Sequence, residues 1–346
     1  METLKTSNKN ILIIQTAFLG DLLLTLPLIY HLKRIFTYAH IDILIREGLE
    51  EIKEIFPLID NVHLISKNSR KIESIISLSK RMKGKYNVVI TPHRSFRSGL
   101  ISFLTHAEKR ITFNNSSLPF LFTDIVKYDK SKHEIERNLD LLNPILSGQR
   151  INWKEKIPLK LDDYILNENF MFWKSSGERI IVIAPGTVWE TKRYPEYYFS
   201  VLINRLIDDG IKCVLIGSSK DLDIGSSIMN RVSNKDSVLN LIGKLSLKES
   251  ISIINLSDLL ICNDSAPTHM GVFTKTPVLT IYGSTVPEFG FYPFRNFDRC
   301  VEVENLTCKP CGIHGYQRCP KKHFKCMIDL SPSKIYQVAI SMLNSN

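Results

Sequence analysis

An α/β fold of two tandem Rossmann-like domains facing a cleft is predicted, and three observations carry the prediction. The chain has 346 residues, too many for one ordinary core and suited to two. Short β-branched runs alternate with segments of helical length and period, which implies parallel sheets covered by helices on both faces. The alternation restarts after a polar, non-repeating stretch, residues 147–179, read as a linker. Composition agrees: 44% hydrophobic, 23% charged and 9% aromatic residues describe a globular chain rather than a disordered one. The expected domains are residues 1–160 and 161–346, the second with a basic, cysteine-rich segment at 300–328.

The elements follow in order. Strands are predicted at Ile11–Ile14, Ile41–Ile45, Val62–Ile65 and Asn87–Thr91 in the first half. The second half offers Ile180–Ala184, Lys212–Ile216, Asp258–Cys262 and Val278–Tyr282. Helical period marks Asp21–Phe36, Arg70–Met82, Glu196–Asp208 and Leu247–Leu256. In open parallel sheets ligands bind where loops leave the carboxyl ends of strands, so those loops are where chemistry is sought.

No apolar run reaches the roughly 18 to 20 residues of a membrane-spanning helix. The nearest, Ile11 to Leu28, is broken by Gln15, Asp21 and Pro27, and it lacks a signal-peptide cleavage site. A soluble, cytoplasmic chain is expected. Its formal charge is +10, an excess that attracts anionic partners without choosing among them. Two stretches concentrate it: Lys67, Arg70, Lys71, Lys80, Arg81, Lys83 and Lys85, then Lys309, Arg318, Lys321, Lys322 and Lys325. Either is equally a solvated basic face. Aromatic and basic residues do not interleave regularly, so no nucleic-acid partner is expected.

Four loops carry unusual residues. The first strand enters Gln15-Thr16-Ala17-Phe18-Leu19-Gly20-Asp21. Gly20 permits a tight turn, and Asp21 falls in a first helical turn, where it serves as a helix-stabilising charge or as a base. The dinucleotide fingerprint G-x-G-x-x-G is missing from this turn, which argues against an oxidoreductase. The strand Ile180–Ala184 opens into Pro185-Gly186-Thr187-Val188-Trp189-Glu190-Thr191-Lys192-Arg193. It is not a Walker loop; its hydroxyls and Lys192 suit a diphosphate, while Lys192-Arg193 taken alone reads equally as a surface basic pair. Asn263-Asp264-Ser265-Ala266-Pro267-Thr268-His269 enters a helix that Asp264 or Ser265 would cap, and free N–H groups at such an end bind anions. Finally, Arg94, Arg97, His133 and Arg137 either form a pocket for carboxylates or phosphates of a second substrate or lie on the surface without a function. His133 and Arg137, at i and i+4, would share a helix face.

With these loops in view the chain resembles the bacterial lipopolysaccharide heptosyltransferases, glycosyltransferase family 9, from Ile11 to about Met327. The family's opening pattern is similar to Leu19-Gly20-Asp21 through Pro27, and its donor loop to Pro185-Gly186-Thr187 through Thr191-Lys192-Arg193-Tyr194-Pro195. Its most specific signature is similar to Asn263 through His269, followed by Pro277-Val278 and Tyr282-Gly283-Ser284-Thr285. Gly217 through Asp221 resembles the segment reaching the donor's nucleoside, with a weak likeness to the heptosyltransferase II type. One departure stands out: Ala266 occupies the place of the usual glycine.

The resemblance implies the glycosyltransferase B fold and an inverting, metal-independent transfer from ADP-heptose to the inner core of lipopolysaccharide, with no cofactor. It makes Asp21 the general base and Lys192 the partner of the leaving group. Thr187, Thr191, Lys192, Asp221, Asp264, Ser265, Ala266 and His269 would bind the donor. Arg97, His133 and Arg137 would face the lipid A–core oligosaccharide acceptor. It also implies peripheral contact with the anionic cytoplasmic face of the inner membrane. Alternatives are another nucleotide sugar or acceptor, or a nucleotide-sugar epimerase of the same architecture. Of the seven cysteines, Cys213 and Cys262 read as core residues. Cys308, Cys311, Cys319 and Cys326 read as reduced thiols or, more weakly, as a structural zinc site.

Overall fold

A computed structural model describes residues 9–66, 72–146, 151–161 and 166–345. The chain divides into two compact units, Met1–Lys160 and Leu161–Asn346. In the first, β1 (Asn10–Ile14), β2 (His40–Arg46), β3 (Asn61–Ile65), β4 (Val88–Thr91), β5 (Lys109–Phe113) and β6 (Asp124–Val126) form one sheet in the order β3-β2-β1-β4-β5-β6. Every pairing in it is parallel. In the second, β7 (Ile180–Ala184), β8 (Lys212–Leu215), β9 (Val238–Asn240), β10 (Leu259–Asn263), β11 (Val278–Tyr282) and β12 (Arg299–Glu302) run β12-β11-β10-β7-β8-β9, again all parallel. Counted from β9, the second sheet repeats the order of the first. Each is the doubly wound order whose topological switch lies between its first and fourth strands. The expected α/β class therefore forms twice.

The central strands β1, β4, β7, β10 and β11 are buried almost throughout. Their unbroken apolar runs are what a strand covered on both faces requires. Four strands escape the sequence reading. β5 opens on Lys109-Arg110, and the edge strands β6, β9 and β12 are short and half-exposed, so none presents an apolar run. The helix expected at Asp21–Phe36 is two helices, Leu19–Leu23 and Leu26–Ile35. Pro27 cannot donate to Leu23, and the Thr25 hydroxyl donates to the Asp21 carbonyl at 2.8 Å, so the chain re-enters a helix there.

The predicted linker is folded structure where it is described. It contains the helix Glu168–Ser175, Trp173 is buried, and Trp153 stacks on His133 with ring centroids 5.0 Å apart. Residues 147–150 and 162–165 of that stretch lie outside the described residues, as do Lys67, Arg70 and Lys71 of the first basic stretch. Among the described residues no helix is long and apolar enough to cross a membrane.

Candidate active site

In each unit the unusual loops gather at the carboxyl ends of the strands flanking the switch point. In the first unit, β1 runs through Gln15 and Thr16 into the short helix Leu19–Leu23, whose first turn carries Asp21. The Phe18 N–H donates to Asp21 Oδ2 at 3.3 Å, a long bond that does little to hold the charge. Burial pushes the Asp21 carboxyl up to about 6, and the negative charge of Glu134 adds to the rise. The Phe18 N–H and Arg94 pull the other way without cancelling it.

The neighbours of Asp21 are fixed by a network that sequence spacing did not reveal. Asn138 donates to the Leu24 carbonyl at 3.1 Å, tying the helix Glu134–Asp140 to the turn that follows Asp21. Arg137 is 2% exposed and its guanidinium is surrounded by its own chain. It donates to the carbonyls of Asp129 (2.8 Å) and Lys130 (2.7 Å), to Tyr128 Oη (2.9 Å) and to Glu134 Oε2 (2.9 Å). Tyr128 also donates to Glu134 Oε2 at 2.8 Å, and the guanidiniums of Arg94 and Arg137 lie 4.3 and 4.8 Å from its ring centroid. The Arg137 expected in an acceptor pocket is thus a buried support for Glu134. His133 is not on the face of that helix but is its N-cap, with Nδ1 accepting from the Ile135 N–H at 3.2 Å.

At the end of β4, His93 Nδ1 lies 2.8 Å from Thr16 Oγ1 and 3.1 Å from Ser98 Oγ. Burial lowers His93 to about 4, helped by the positive fields of Arg97, Arg94 and Arg46, so the ring is neutral at physiological pH. Arg46, at the end of β2, was not singled out in the sequence. It covers the Phe18 ring at 4.9 Å. Arg97 is half-buried and donates to the Ser66 carbonyl at 3.2 Å. Arg46, Arg94 and Arg97 therefore give this sheet end positive charge beside two carboxyls, Asp21 and Glu134, of which Glu134 is tied to Arg137 and Tyr128.

The second unit arranges its charges differently. Lys192, at the end of the loop after β7, reaches Asp264, at the end of β10, with Nζ 2.6 Å from Oδ2. Thr285, from the loop after β11, donates to the same oxygen at 2.6 Å. The side chains of Lys192 and Asp264 are 13% and 7% exposed, so this is an ion pair held largely out of water. Asn263, at the end of β10, braces both ends of the loop after β7. Its amide donates to the Pro185 carbonyl at 2.8 Å, and its Oδ1 accepts from the Tyr194 N–H at 3.0 Å.

Thr191, expected to offer a hydroxyl to a diphosphate, is buried, and its Oγ1 is taken up by Ser284 Oγ (2.9 Å) and by the Tyr316 N–H (2.7 Å). Thr187 stays half-exposed. Ser265 occupies the N-cap of the helix Ala266–Val272 without capping it, because its hydroxyl turns back to the Asn263 carbonyl at 3.2 Å. His269 is buried, lowered to about 4 by that burial, and its Nδ1 has no hydrogen-bond partner among the described residues. Asp221 accepts from both the Ser218 N–H (2.9 Å) and the Ser218 hydroxyl (2.7 Å). It presses on Gly186, where a Cβ would lie 2.4 Å from its Cγ, so a side chain at the first turn of the loop after β7 would displace the Asp221 carboxylate.

The cysteine-rich segment is part of this architecture. The Cys311 N–H donates to the Ser284 carbonyl at 2.9 Å, and the Thr191 N–H donates to the Tyr316 carbonyl at 3.0 Å. Gly315 turns the chain there with φ +86°, a conformation other residues resist. All seven cysteines are free, and Cys213 and Cys262 are buried core residues as expected. No group of three or more metal-binding side chains with metal-holding geometry occurs among the described residues.

The geometry can be set beside known proteins. Residues 75–319 match glycosyltransferase family 9 (heptosyltransferase). The chain is 26% identical over 335 residues to lipooligosaccharide heptosyltransferase 2 of Campylobacter jejuni, covering 95% of this chain and 97% of that one. Among solved structures it is similar to a family 9 glycosyl transferase from Veillonella parvula, with TM-score 0.81, 22% identity and 98% of both chains covered. It is also similar to Escherichia coli ADP-heptose lipopolysaccharide heptosyltransferase II, with TM-score 0.76, 21% identity and 97% and 99% of the chains covered.

Proposed function

The chain belongs to glycosyltransferase family 9 and is a glycosyltransferase, and on that premise we propose that it moves a heptose from ADP-heptose, with inversion, to the inner core of a lipopolysaccharide. The observation that carries the reading is the Asp21 carboxyl in the turn after β1, raised to about 6 by burial and by the nearby charge of Glu134. A carboxylate so placed is ionised at neutral pH and yet basic enough to take a proton from a hydroxyl as that hydroxyl attacks.

In the proposed reaction Asp21 Oδ accepts the proton of an acceptor hydroxyl while its oxygen forms a bond to the anomeric carbon. The bond from that carbon to the β-phosphate oxygen breaks on the opposite face, and ADP leaves with the electron pair. The second unit binds and stabilises the departing diphosphate. Lys192 supplies the positive charge, held in place by Asp264 and Thr285. Thr187, Ser265, Ala266 and His269 line the adjoining loop ends. Thr191 acts through Ser284 and Tyr316 as a brace, and Asp221 as a spacer against Gly186 that faces the nucleoside. With these groups carrying the charge, the reaction needs no metal.

Arg46, Arg94 and Arg97 suit an acceptor rich in acidic groups, with His133 capping the helix that carries Glu134 and Arg137 holding Glu134 and Tyr128. In this reading the first unit receives the acceptor and the second the nucleotide sugar. The weak likeness around Gly217–Asp221 and the match to a heptosyltransferase 2 favour transfer to a sugar already on the core rather than to its first acidic sugar, at the cytoplasmic face of the inner membrane.

The test is a panel of nucleotide sugars offered with core-truncated lipopolysaccharides, with products read by mass. Addition of one heptose from ADP-heptose is expected. Consumption of the nucleotide sugar without any acceptor would favour an epimerase instead.

A further inference from the structure

We infer that the flank of the first sheet beyond β4 is a docking surface for an anionic lipid bilayer. The surface is built on the helix Phe96–Leu104. Phe96, Leu100 and Phe103 recur at i, i+4 and i+7 and so form one stripe, on which Phe96 and Phe103 are 58% and 42% exposed. Gly99 lies within that stripe. A Cβ there would sit 3.3 Å from Leu118 Cβ, so the glycine lets the loop after β5 close directly onto the helix. That loop then presents Phe120, 76% exposed, beside the stripe. The loop is fixed rather than free to fold its phenylalanine away. The Ser117 N–H and hydroxyl donate to the Arg94 carbonyl at 3.0 and 2.8 Å, and Arg110 Nε donates to the Leu121 carbonyl at 3.1 Å.

Three exposed phenylalanines on one rigid face mark a surface meant to be covered. Charge decides what covers it. From Pro92 to Ala107 and from Ile111 to Thr123 the chain has no acidic residue. Arg94 and Arg97 border the stripe at its start, and Arg110 lies 5.9 Å from the Phe103 ring centroid at its end. In sequence the acids that bound these two stretches are Glu108 and Asp124, and Asp124 faces Lys109 at 3.9 Å. Exposed phenylalanines beside Arg94, Arg97 and Arg110, on two stretches of chain without an acid, are the composition of a segment that lies in the interface of an anionic membrane.

The helix starts at the end of β4, the strand beside β1, so the surface begins at the sheet end that carries Asp21. Docking there would bring the membrane to the base. This deepens the proposed function, and rests on it only for the reason a membrane is visited.

The experiment uses the full chain and vesicles of phosphatidylcholine with or without phosphatidylglycerol, without any nucleotide sugar. Wild type should sediment with the anionic vesicles and poorly with the neutral ones. The double variant Phe96→Ser/Phe120→Ser, changed at exposed positions only, should melt as wild type does and partition at least about tenfold more weakly. It should also lose transfer to a lipid-linked acceptor while keeping transfer to the delipidated core oligosaccharide. Undiminished vesicle binding by the variant would overturn the inference. So would a wild type that ignores anionic vesicles, or one that sediments alone as a dimer that the substitutions dissociate. A protein that binds vesicles as expected but transfers no heptose would instead count against the proposed function.

Discussion

The two sheets have the same strand order and place their polar loops at the same switch point, yet they treat a carboxylate in opposite ways. Asp264 in the second unit is bonded to Lys192 and Thr285, both at 2.6 Å, so its charge is matched locally. Asp21 in the first receives one long bond from a backbone N–H and feels Glu134 nearby, and burial lifts it to about 6. One carboxylate is arranged to hold a lysine and a threonine in place, the other to gain and lose a proton. The fold supplies the position, and the partners on neighbouring loops decide the chemistry.

The largest effect expected from breaking this contrast is at Asp21. Asp21→Asn should lower transfer by about 10²- to 10⁴-fold while leaving ADP-heptose affinity in calorimetry near wild type. The same substitution should raise the melting temperature at pH 7 to 8. A carboxyl raised in the folded state binds its proton more tightly there than in the unfolded chain. Its contribution to stability is therefore greatest below the unfolded value and is lost as pH rises towards about 6, a loss the amide does not suffer.

Next in size is the ion pair. Lys192→Ala leaves the Asp264 carboxylate buried without its cation and should cost about 3 to 5 kcal/mol of stability, measured by denaturant unfolding, as well as weakening donor binding. Lys192→Ala combined with Asp264→Asn should recover most of the stability and none of the affinity. Recovery of both would mean that Lys192 is only structural. Gly186→Ala should follow, because its methyl group meets Asp221 at 2.4 Å. Donor affinity should fall, and Asp221→Ala in the same chain should restore part of it.

The smallest and sharpest change is Glu134→Gln. Removing that charge should move the acid limb of the rate profile to lower pH by less than about one unit, without loss of the rate plateau. Arg137→Ala, by contrast, strands Glu134 and takes four hydrogen bonds from the loop, so it should act first on the melting temperature.

The comparison also explains what was legible in the sequence. The central strands could be read because burial on both faces demands unbroken apolar runs, and Val278–Tyr282 matches its strand end to end. β6, β9 and β12 could not, because a short edge strand needs no such run. Loop residues adjacent in sequence, such as Thr187 through Arg193, could be found as a group, but not what each hydroxyl would touch. Thr191 reads as a phosphate donor until Ser284 and Tyr316, distant in the chain, turn out to hold it. Arg137 reads as a pocket cation because spacing says which face it shares, not that Tyr128 and Glu134 close over it. Arg46 carried no motif at all. It is found only when the parallel order of β2, β1 and β4 brings three strand ends together.

The most direct measurement is the pH dependence of kcat/KM for heptose transfer, in wild type and in Asp21→Asn. If Asp21 is the base, the wild-type rate falls on the acid side through a limb near pH 6, and the variant is slow at every pH and lacks that limb. A variant that keeps the same limb, or that transfers at close to the wild-type rate, would contradict the assignment.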